Sequence, residues 1–294
     1  MSAPPPDEYF LDPRLVRRAF DRSAATFDAA AGVHAEIRSR LLERLDVVRL
    51  APEAILDLGA GTGHGSRALQ RRYPRARVLA LDLSPQMLAH ARRQQRWLRP
   101  FQRVVADAHR LPLRATSVDM VFSNLMLQWS HDPDTVFAEI RRVMRPEGLV
   151  TFATLGPDSL KELRAAWSGA DTHTHVHRFI DMHDLGDALV RSGFAEPVMD
   201  TERLTITYAD PGTLIRELRH TASTNLALGR KRGLLGRQGA QRFHEGHAKT
   251  QRDGAWPVTL EVVYGHAWTV EGGRRRTSGE SVVPLSALRN RRNG

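Results

Sequence analysis

Short apolar runs alternate with helical periodicities along the first half of the chain, and that alternation predicts a parallel β-sheet covered by helices on both faces. Asp12-Pro13 reads as a cap followed by proline in the first helical turn, and Ile37, Leu41, Leu42 and Leu45 recur at helical spacing before the first strand. Five apolar runs follow, at residues 54–58, 78–81, 104–106, 118–122 and 149–153, each with a polar residue near its C-terminal edge. Such runs read as strands buried on both sides. Ser84-Pro85 and Asp132-Pro133 mark two further helix starts; Val136, Phe137, Ile140, Val143 and Met144 give the second helix one apolar face, and R-P-E-G stops it. No internal repeat is present.

In open α/β sheets ligands settle at the C-terminal strand edges, so the polar residues there are the first candidates for chemistry. Residues 55–63 read I-L-D-L-G-A-G-T-G, an apolar run that ends in Asp57 and the alternate glycines Gly59, Gly61 and Gly63. Glycines at a strand-to-helix turn let backbone N–H groups approach a ligand closely. A dinucleotide fingerprint needs G-x-G-x-x-G, but the sixth position from Gly59 is His64, and Gly63 comes one place early. Asp57 would repel a pyrophosphate and suits a ligand whose amino-acid end carries an ammonium. Asp82 follows Gly63 by 19 residues and closes L-A-L-D-L-S, where one carboxylate can accept both hydroxyls of a ribose. Asp107, in V-V-A-D-A, ends the next strand and suits an adenine amino group, with the Ala108 amide facing a ring nitrogen and Met87 packed on the ring.

Composition narrows the remaining classes. The 294 residues carry no cysteine, which excludes disulfides, thiolate metal sites and a cysteine nucleophile. No run approaches the roughly 18 apolar residues of a membrane span, and M-S-A-P-P-P-D-E has the character of neither a signal nor a transit peptide, so a cytoplasmic protein is expected. The net charge of +10 is unevenly placed: residues 210–252 hold nine Lys or Arg against three acids, and residues 271–294 hold six Arg against two Glu. The second of these segments, Gly-, Ser- and Arg-rich without periodicity, reads as a disordered basic tail, and residues 1–12 as a disordered N-terminus. His173, His175, His177 and His183 could share one side of an extended segment, but no carboxylate beyond Asp171, Asp181 and Asp184 accompanies them, and no metal is expected.

The glycine loop, Asp82, Asp107 and R-P-E-G occur in the order found in class I S-adenosylmethionine-dependent methyltransferases, which the region from about Phe20 to Phe152 resembles. The resemblance implies a Rossmann-like α/β domain over residues 13–270, a mainly parallel seven-stranded sheet with helices on both faces, and S-adenosylmethionine as co-substrate. More closely, A-F-D-R-S-A-A-T-F-D-A-A-A, S-N-L-M-L-Q-W-S, T-F-A-T-L-G-P-D-S-L-K-E-L-R-A-A-W and H-V-H-R-F-I-D-M-H-D-L are similar to the malonyl-acyl-carrier-protein O-methyltransferase family of biotin synthesis. That similarity runs to about Trp268, with Phe27 standing where the family often has tyrosine. It implies methyl transfer to the free carboxylate of a malonyl thioester on acyl carrier protein. A carboxylate is already ionised at neutral pH, so no general base is required. Asn124, Gln128 and Trp129, just past the fourth strand, are expected to position the reactants, and Arg178 and Arg230 to grip the anionic substrate. Residues 210–252 become a helical cap inserted between late strands at 204–208 and 259–268, its positive charge facing an acidic carrier. A nucleic-acid methyltransferase fits less well, since no N-P-P-Y motif and no interleaving of aromatic and basic residues on a strand occurs. Another small-molecule or protein modifier on this fold, such as an arginine hydroxylase-like assembly factor, is the remaining alternative.

Overall fold

The computed structural model describes residues 9–270 apart from residue 96 and residues 169–172, 231–232 and 234–235. Helices α1 (Pro13–Ser23), α2 (Phe27–Ala30) and α3 (Gly32–Glu43) precede β1 (Ala54–Leu58). Then come α4 (His64–Arg72), β2 (Arg77–Asp82), α5 (Pro85–Ala91), β3 (Gln102–Val105), β4 (Val118–Asn124), α6 (Pro133–Val143) and β5 (Met144–Leu155). The chain finishes with α7 (Lys161–Ser168), α8 (Met182–Arg191), β6 (Phe194–Tyr208), α9 (Pro211–His220), α10 (Arg237–Ala248) and β7 (Trp256–Thr269). The predicted caps close as hydrogen bonds: Arg14 N donates to Asp12 Oδ1 at 2.8 Å, Met87 N to Ser84 Oγ at 3.1 Å and Thr135 N to Asp132 Oδ1 at 3.1 Å.

The seven strands run β3-β2-β1-β4-β5-β7-β6, with β7 antiparallel to both neighbours and every other pairing parallel. Alternation along the strands splits the core. Ile55, Met120 and Phe122 meet Ile37, Leu41 and Leu69 on one face, whereas Leu56, Leu58 and Val121 meet Phe137, Ile140 and Leu189 on the other. The strand order reverses between β1 and β4, and there the connections leave toward opposite faces and open a crevice.

Three boundaries differ from the pattern reading. The strand expected over 204–208 starts ten residues earlier, because β6 is an edge strand whose exposed face is polar and which tolerates Pro197 at a register shift. The R-P-E-G segment does follow α6, yet it is a bulge inside β5 rather than a loop, with Glu147 at φ 59°. Residues 9–12, part of the N-terminal segment read as disordered, have a defined place in the fold, and residues 1–8 lie outside the described residues. Leu11 is buried, bridges Ala227, and lies in a cluster with Val16, Ala19 and Leu226, and Leu228 N donates to the Phe10 carbonyl at 3.0 Å. The basic tail of residues 271–294 lies outside the described residues. Helices α9 and α10 occupy the span expected for the cap, between β6 and β7. Ala222, Leu226 and Ala227 of this span share one apolar cluster with Val16 and Ala19 of α1, and Phe20, Leu83 and Trp129 pack against it. No described helix is long and apolar enough to cross a membrane.

Candidate active site

The turn after β1 forms the floor of the crevice. Gly59, Gly61 and Gly63 have φ of 77°, 52° and 85°, a left-handed conformation that side chains oppose. A Cβ on Gly59 would lie 2.5 Å from Met126 Cβ, whereas one on Gly61 meets nothing within 4 Å. The first glycine is therefore set by packing and the second by backbone shape alone. Gly59 N and Ala60 N both donate to the Leu81 carbonyl, at 2.8 and 3.0 Å, which ties the loop to the end of β2. Asp57 is buried beneath the loop, 2% exposed, and its Oδ2 accepts from Ser66 Oγ at 2.5 Å. Burial pushes its carboxyl up to about 6 against the pull of that hydrogen bond and of Arg38.

Asp82 accepts from Gly61 N through Oδ2 and from Ser84 N through Oδ1, each at 2.8 Å, and burial likewise pushes it up to about 6. Each oxygen keeps a lone pair for a further donor. Beyond it lies a slot walled by Leu58, the fully buried Met87, Ala106, Asp107 and Ala108. Asp107 Oδ1 takes both the backbone N–H and the Nδ1 of His109, at 2.9 and 2.7 Å, and these bonds hold its carboxyl below the usual range while leaving Oδ2 unbound. The far nitrogen of His109 lies 2.9 Å from Ser130 Oγ, and its ring stacks on His131 at 4.6 Å.

A second hollow, at the opposite end of the glycine loop, is walled by Asp28, Arg38, Asp57, Gly61 and Asn124. Asn124 donates through Nδ2 to the His34 carbonyl at 3.3 Å, while its Oδ1 is buried without a partner. Asp28 accepts from Thr62 Oγ1 at 2.5 Å and lies 3.3 Å from His64 Nε2, so α2 is fastened across the loop. A third cavity, mostly apolar, runs between α3, α7, the cap and the ends of β6 and β7, with Ile37, Leu163, Trp167, Ile206, Leu214 and Leu260 among its walls. His34, Leu125 and Trp129 line both this cavity and the nucleoside slot. The Trp129 ring is held edge-on by Phe20 at 5.2 Å.

A left-handed glycine loop, an acid 19 residues past it and an apolar cavity bordering the same crevice mark a ligand-binding switch point. The Methyltransferase domain family matches residues 56–152. Malonyl-(acyl-carrier protein) O-methyltransferases are similar over far more of the chain. That of Laribacter hongkongensis is 50% identical, across 92% of this chain and 94% of its own. That of Methylovorus sp. is 52% identical across 89% and 90%, and that of Halorhodospira halophila 46% identical across 98% and 99%. The chain belongs to this methyltransferase family. Solved structures share the fold: the YcgJ protein of Bacillus subtilis superposes with a TM-score of 0.57 at 15% identity, over 79% of this chain and 98% of its own. Haemonchus contortus phosphoethanolamine N-methyltransferase 2, solved in complex with S-adenosyl-L-methionine, superposes with a TM-score of 0.53 at 18% identity, over 85% of this chain and 57% of its own.

Within this family member the predicted residues divide into two groups. The crevice brings together Asp57, Gly59, Gly61, Asp82, Met87, Asp107, Ala108 and Asn124, with Gly63 packed behind the loop against Ala91. Gln128 and Trp129 line the apolar cavity. The two arginines expected to hold substrate line neither the crevice nor the apolar cavity. Arg178 is exposed and lines, with Arg164 and Asp181, a hollow that shares Trp167, Val176, His177 and Phe179 with the apolar cavity, and Arg230 Nη1 donates to the carbonyls of Leu226 and Ala227, at 3.3 and 2.9 Å. One of its nitrogens is engaged locally by these carbonyls. His177 of the histidine run is buried against Trp129 and Phe179, and no group of three metal-binding side chains converges among the described residues. His34, Arg38, Asp28 and His109 were not singled out from the sequence. Only the helical spacing of His34 and Arg38 with Ile37 and Leu41 hints that one flank of α3 reaches the crevice.

Proposed function

We propose that the chain transfers the methyl group of S-adenosylmethionine to the free carboxylate of a malonyl group carried as a thioester on acyl carrier protein. The supporting observation is near-full-length identity with malonyl-(acyl-carrier protein) O-methyltransferases, joined to a crevice that opens into an apolar cavity at His34, Leu125 and Trp129. The crevice fits the co-substrate group by group: Asp82 for the ribose hydroxyls, Asp107 Oδ2 for the adenine amino group, Met87 against the ring, and the unpaired Asn124 Oδ1 for the ammonium. The Arg38 side chain makes no hydrogen bond or ion pair among the described residues and suits the methionyl carboxylate in the hollow it shares with Asp57. When bound, S-adenosylmethionine supplies an electrophilic methyl on a sulfonium.

The residues here have no proton to move, because the acceptor carboxylate is ionised at neutral pH. Their work is alignment, which can supply on the order of 7–11 kcal/mol when the reacting atoms are held at attack distance. Trp129 and Leu125 give the junction apolar walls, with Phe20 packed on the indole, and a water-poor site favours a step in which opposite charges cancel. Incubating the protein with methyl-labelled S-adenosylmethionine and malonyl-loaded carrier is expected to add one methyl to the carrier, lost on mild ester hydrolysis. An unchanged carrier mass would count against the reading.

Two further expectations arise from the same site. Asp57 and Asp82, both pushed up to about 6 from 3.8, bind protons in the folded chain before the unfolded chain does. Their contribution to stability is therefore fullest below about pH 4 and is lost as pH rises through about 6. A bound cation reverses the preference in favour of the ionised carboxylates. Binding of S-adenosylmethionine is expected to release protons near pH 6 and to weaken as pH falls from 7 to 5. Calorimetry in two buffers of different ionisation heat measures this, and identical heats would refute it. The cap carries the exposed cations Arg237, Arg242 and Lys249. Reversing their charges is expected to lower kcat/KM for the carrier-bound substrate about tenfold at low salt, with malonyl-coenzyme A little affected. Equal loss for both substrates would sink carrier docking on this face.

A further inference from the structure

We infer that the carboxylate receiving the methyl is held at the junction of the two cavities by neutral donors, the imidazole of His34 and the side-chain amide of Gln128, and not by an arginine. This subsite rests on the functional reading above. The reacting atoms must lie where the nucleoside crevice meets the acceptor cavity, and the residues common to both are His34, Leu125 and Trp129. Leucine offers no hydrogen bond, and the Trp129 ring is packed between Phe20 and His177; Gln128, the residue before Trp129, lines the acceptor cavity alone. His34 also lines the hollow at the methionyl end, so this residue borders all three cavities that a reactant would enter.

The ring is built to donate. Its Nδ1 is buried without a partner, and its backbone carbonyl is pinned by Asn124 Nδ2, which fixes this turn of α3 against the end of β4. The Phe27 and His34 rings pack edge-on at 5.1 Å, so the residue that stands where relatives often carry tyrosine supports the imidazole and offers no hydroxyl of its own. Burial and the neighbouring Arg38 hold the imidazole neutral, pushed down to about 4, so it keeps one N–H to give and places no cation beside the substrate. Gln128 is oriented in the same way. Its Oε1 accepts from Thr154 Oγ1 at 3.1 Å, which turns the amide so that its NH₂ is the end left for the cavity.

Charge decides why neutral donors serve better here. The carboxylate is most anionic before transfer and loses its charge as the ester forms, so a guanidinium would stabilise the starting state more than the transition state and slow the step. The arginine that does line the acceptor cavity, Arg219, is exposed on the last turn of α9. The acid of that cavity, Glu217, is hydrogen-bonded to the Tyr208 hydroxyl and raised by burial, so it opposes an incoming anion less than a bare carboxylate would.

The test uses the full chain with malonyl-loaded carrier protein. His34→Phe keeps the ring volume and removes the donor; His34→Gln keeps a donor. His34→Phe is expected to lower kcat/KM for the carrier substrate roughly 10- to 100-fold, the loss of one hydrogen bond to a charged group, with the S-adenosylmethionine dissociation constant changed less than about threefold. His34→Gln is expected to recover most of that loss, and Gln128→Ala to fall between. Arg219→Gln is expected to cost less than His34→Phe. The inference is overturned if His34→Phe matches the wild type, if the loss appears equally in S-adenosylmethionine binding, or if Arg219→Gln is the more damaging change. A wild-type chain that binds S-adenosylmethionine but leaves the carrier unmethylated overturns the functional reading and the subsite with it.

Discussion

Asp82→Ala is expected to weaken S-adenosylmethionine binding on the order of 100-fold, enough to abolish turnover at ordinary co-substrate concentrations. Hydrogen bonds to a charged group contribute about 1.5–3 kcal/mol each, and this carboxylate stands to lose two ribose hydroxyls at once. It also anchors the loop, since Gly61 N and Ser84 N each donate to one of its oxygens at 2.8 Å. Alanine leaves both donors unpaired beside an enlarged slot. Asp82→Asn separates the two effects. The amide keeps one accepting oxygen but turns an NH₂ toward one of those N–H groups, so binding is expected to fall between wild type and alanine. Calorimetric titration of each variant reads the outcome, and an alanine variant within threefold of wild type would remove Asp82 from the ribose site.

The parts of the fold that could be read from the chain are those buried on both faces. The run at 54–58 matches β1 residue for residue because all five of its side chains are buried and a continuous apolar signal results. The edge strands β3 and β6 put polar side chains on an open face, which erases the run and moves their boundaries. The site divides along the same line. Glycines that need a left-handed backbone and acids that end strands announce themselves locally, and the crevice gathers them. Partners brought from far away do not. His34 meets Asn124 across 90 positions and Asp28 meets Thr62 across 34, and no spacing rule connects them. Arg230 shows the same limit. A sequence shows where a guanidinium is, but not whether neighbouring carbonyls already engage it, as Leu226 and Ala227 do for Arg230.

Gly59→Ala is expected to lower Tm by roughly 5–15 °C and to abolish S-adenosylmethionine binding, whereas Gly61→Ala is expected to cost much less stability. Both positions have positive φ, which alanine resists by about 1–2 kcal/mol. At Gly61 that is the whole penalty, because nothing lies within 4 Å of the added carbon. At Gly59 the new carbon would sit 2.5 Å from both Met126 Cβ and Cγ, and Met126 belongs to the turn after β4 that walls the crevice. Moving either segment to relieve the overlap costs about 1–3 kcal/mol more, and for a domain of this size each kcal/mol shifts Tm by about 2–4 °C. The displacement falls on the two loops that face each other across the nucleoside slot, so stability and binding must fail together at Gly59 and separately at Gly61. Thermal melts with and without S-adenosylmethionine distinguish the cases. Equal Tm values for the two variants would show that the crevice walls yield freely, and the close packing of β1 and β4 would lose its place in the account of the site.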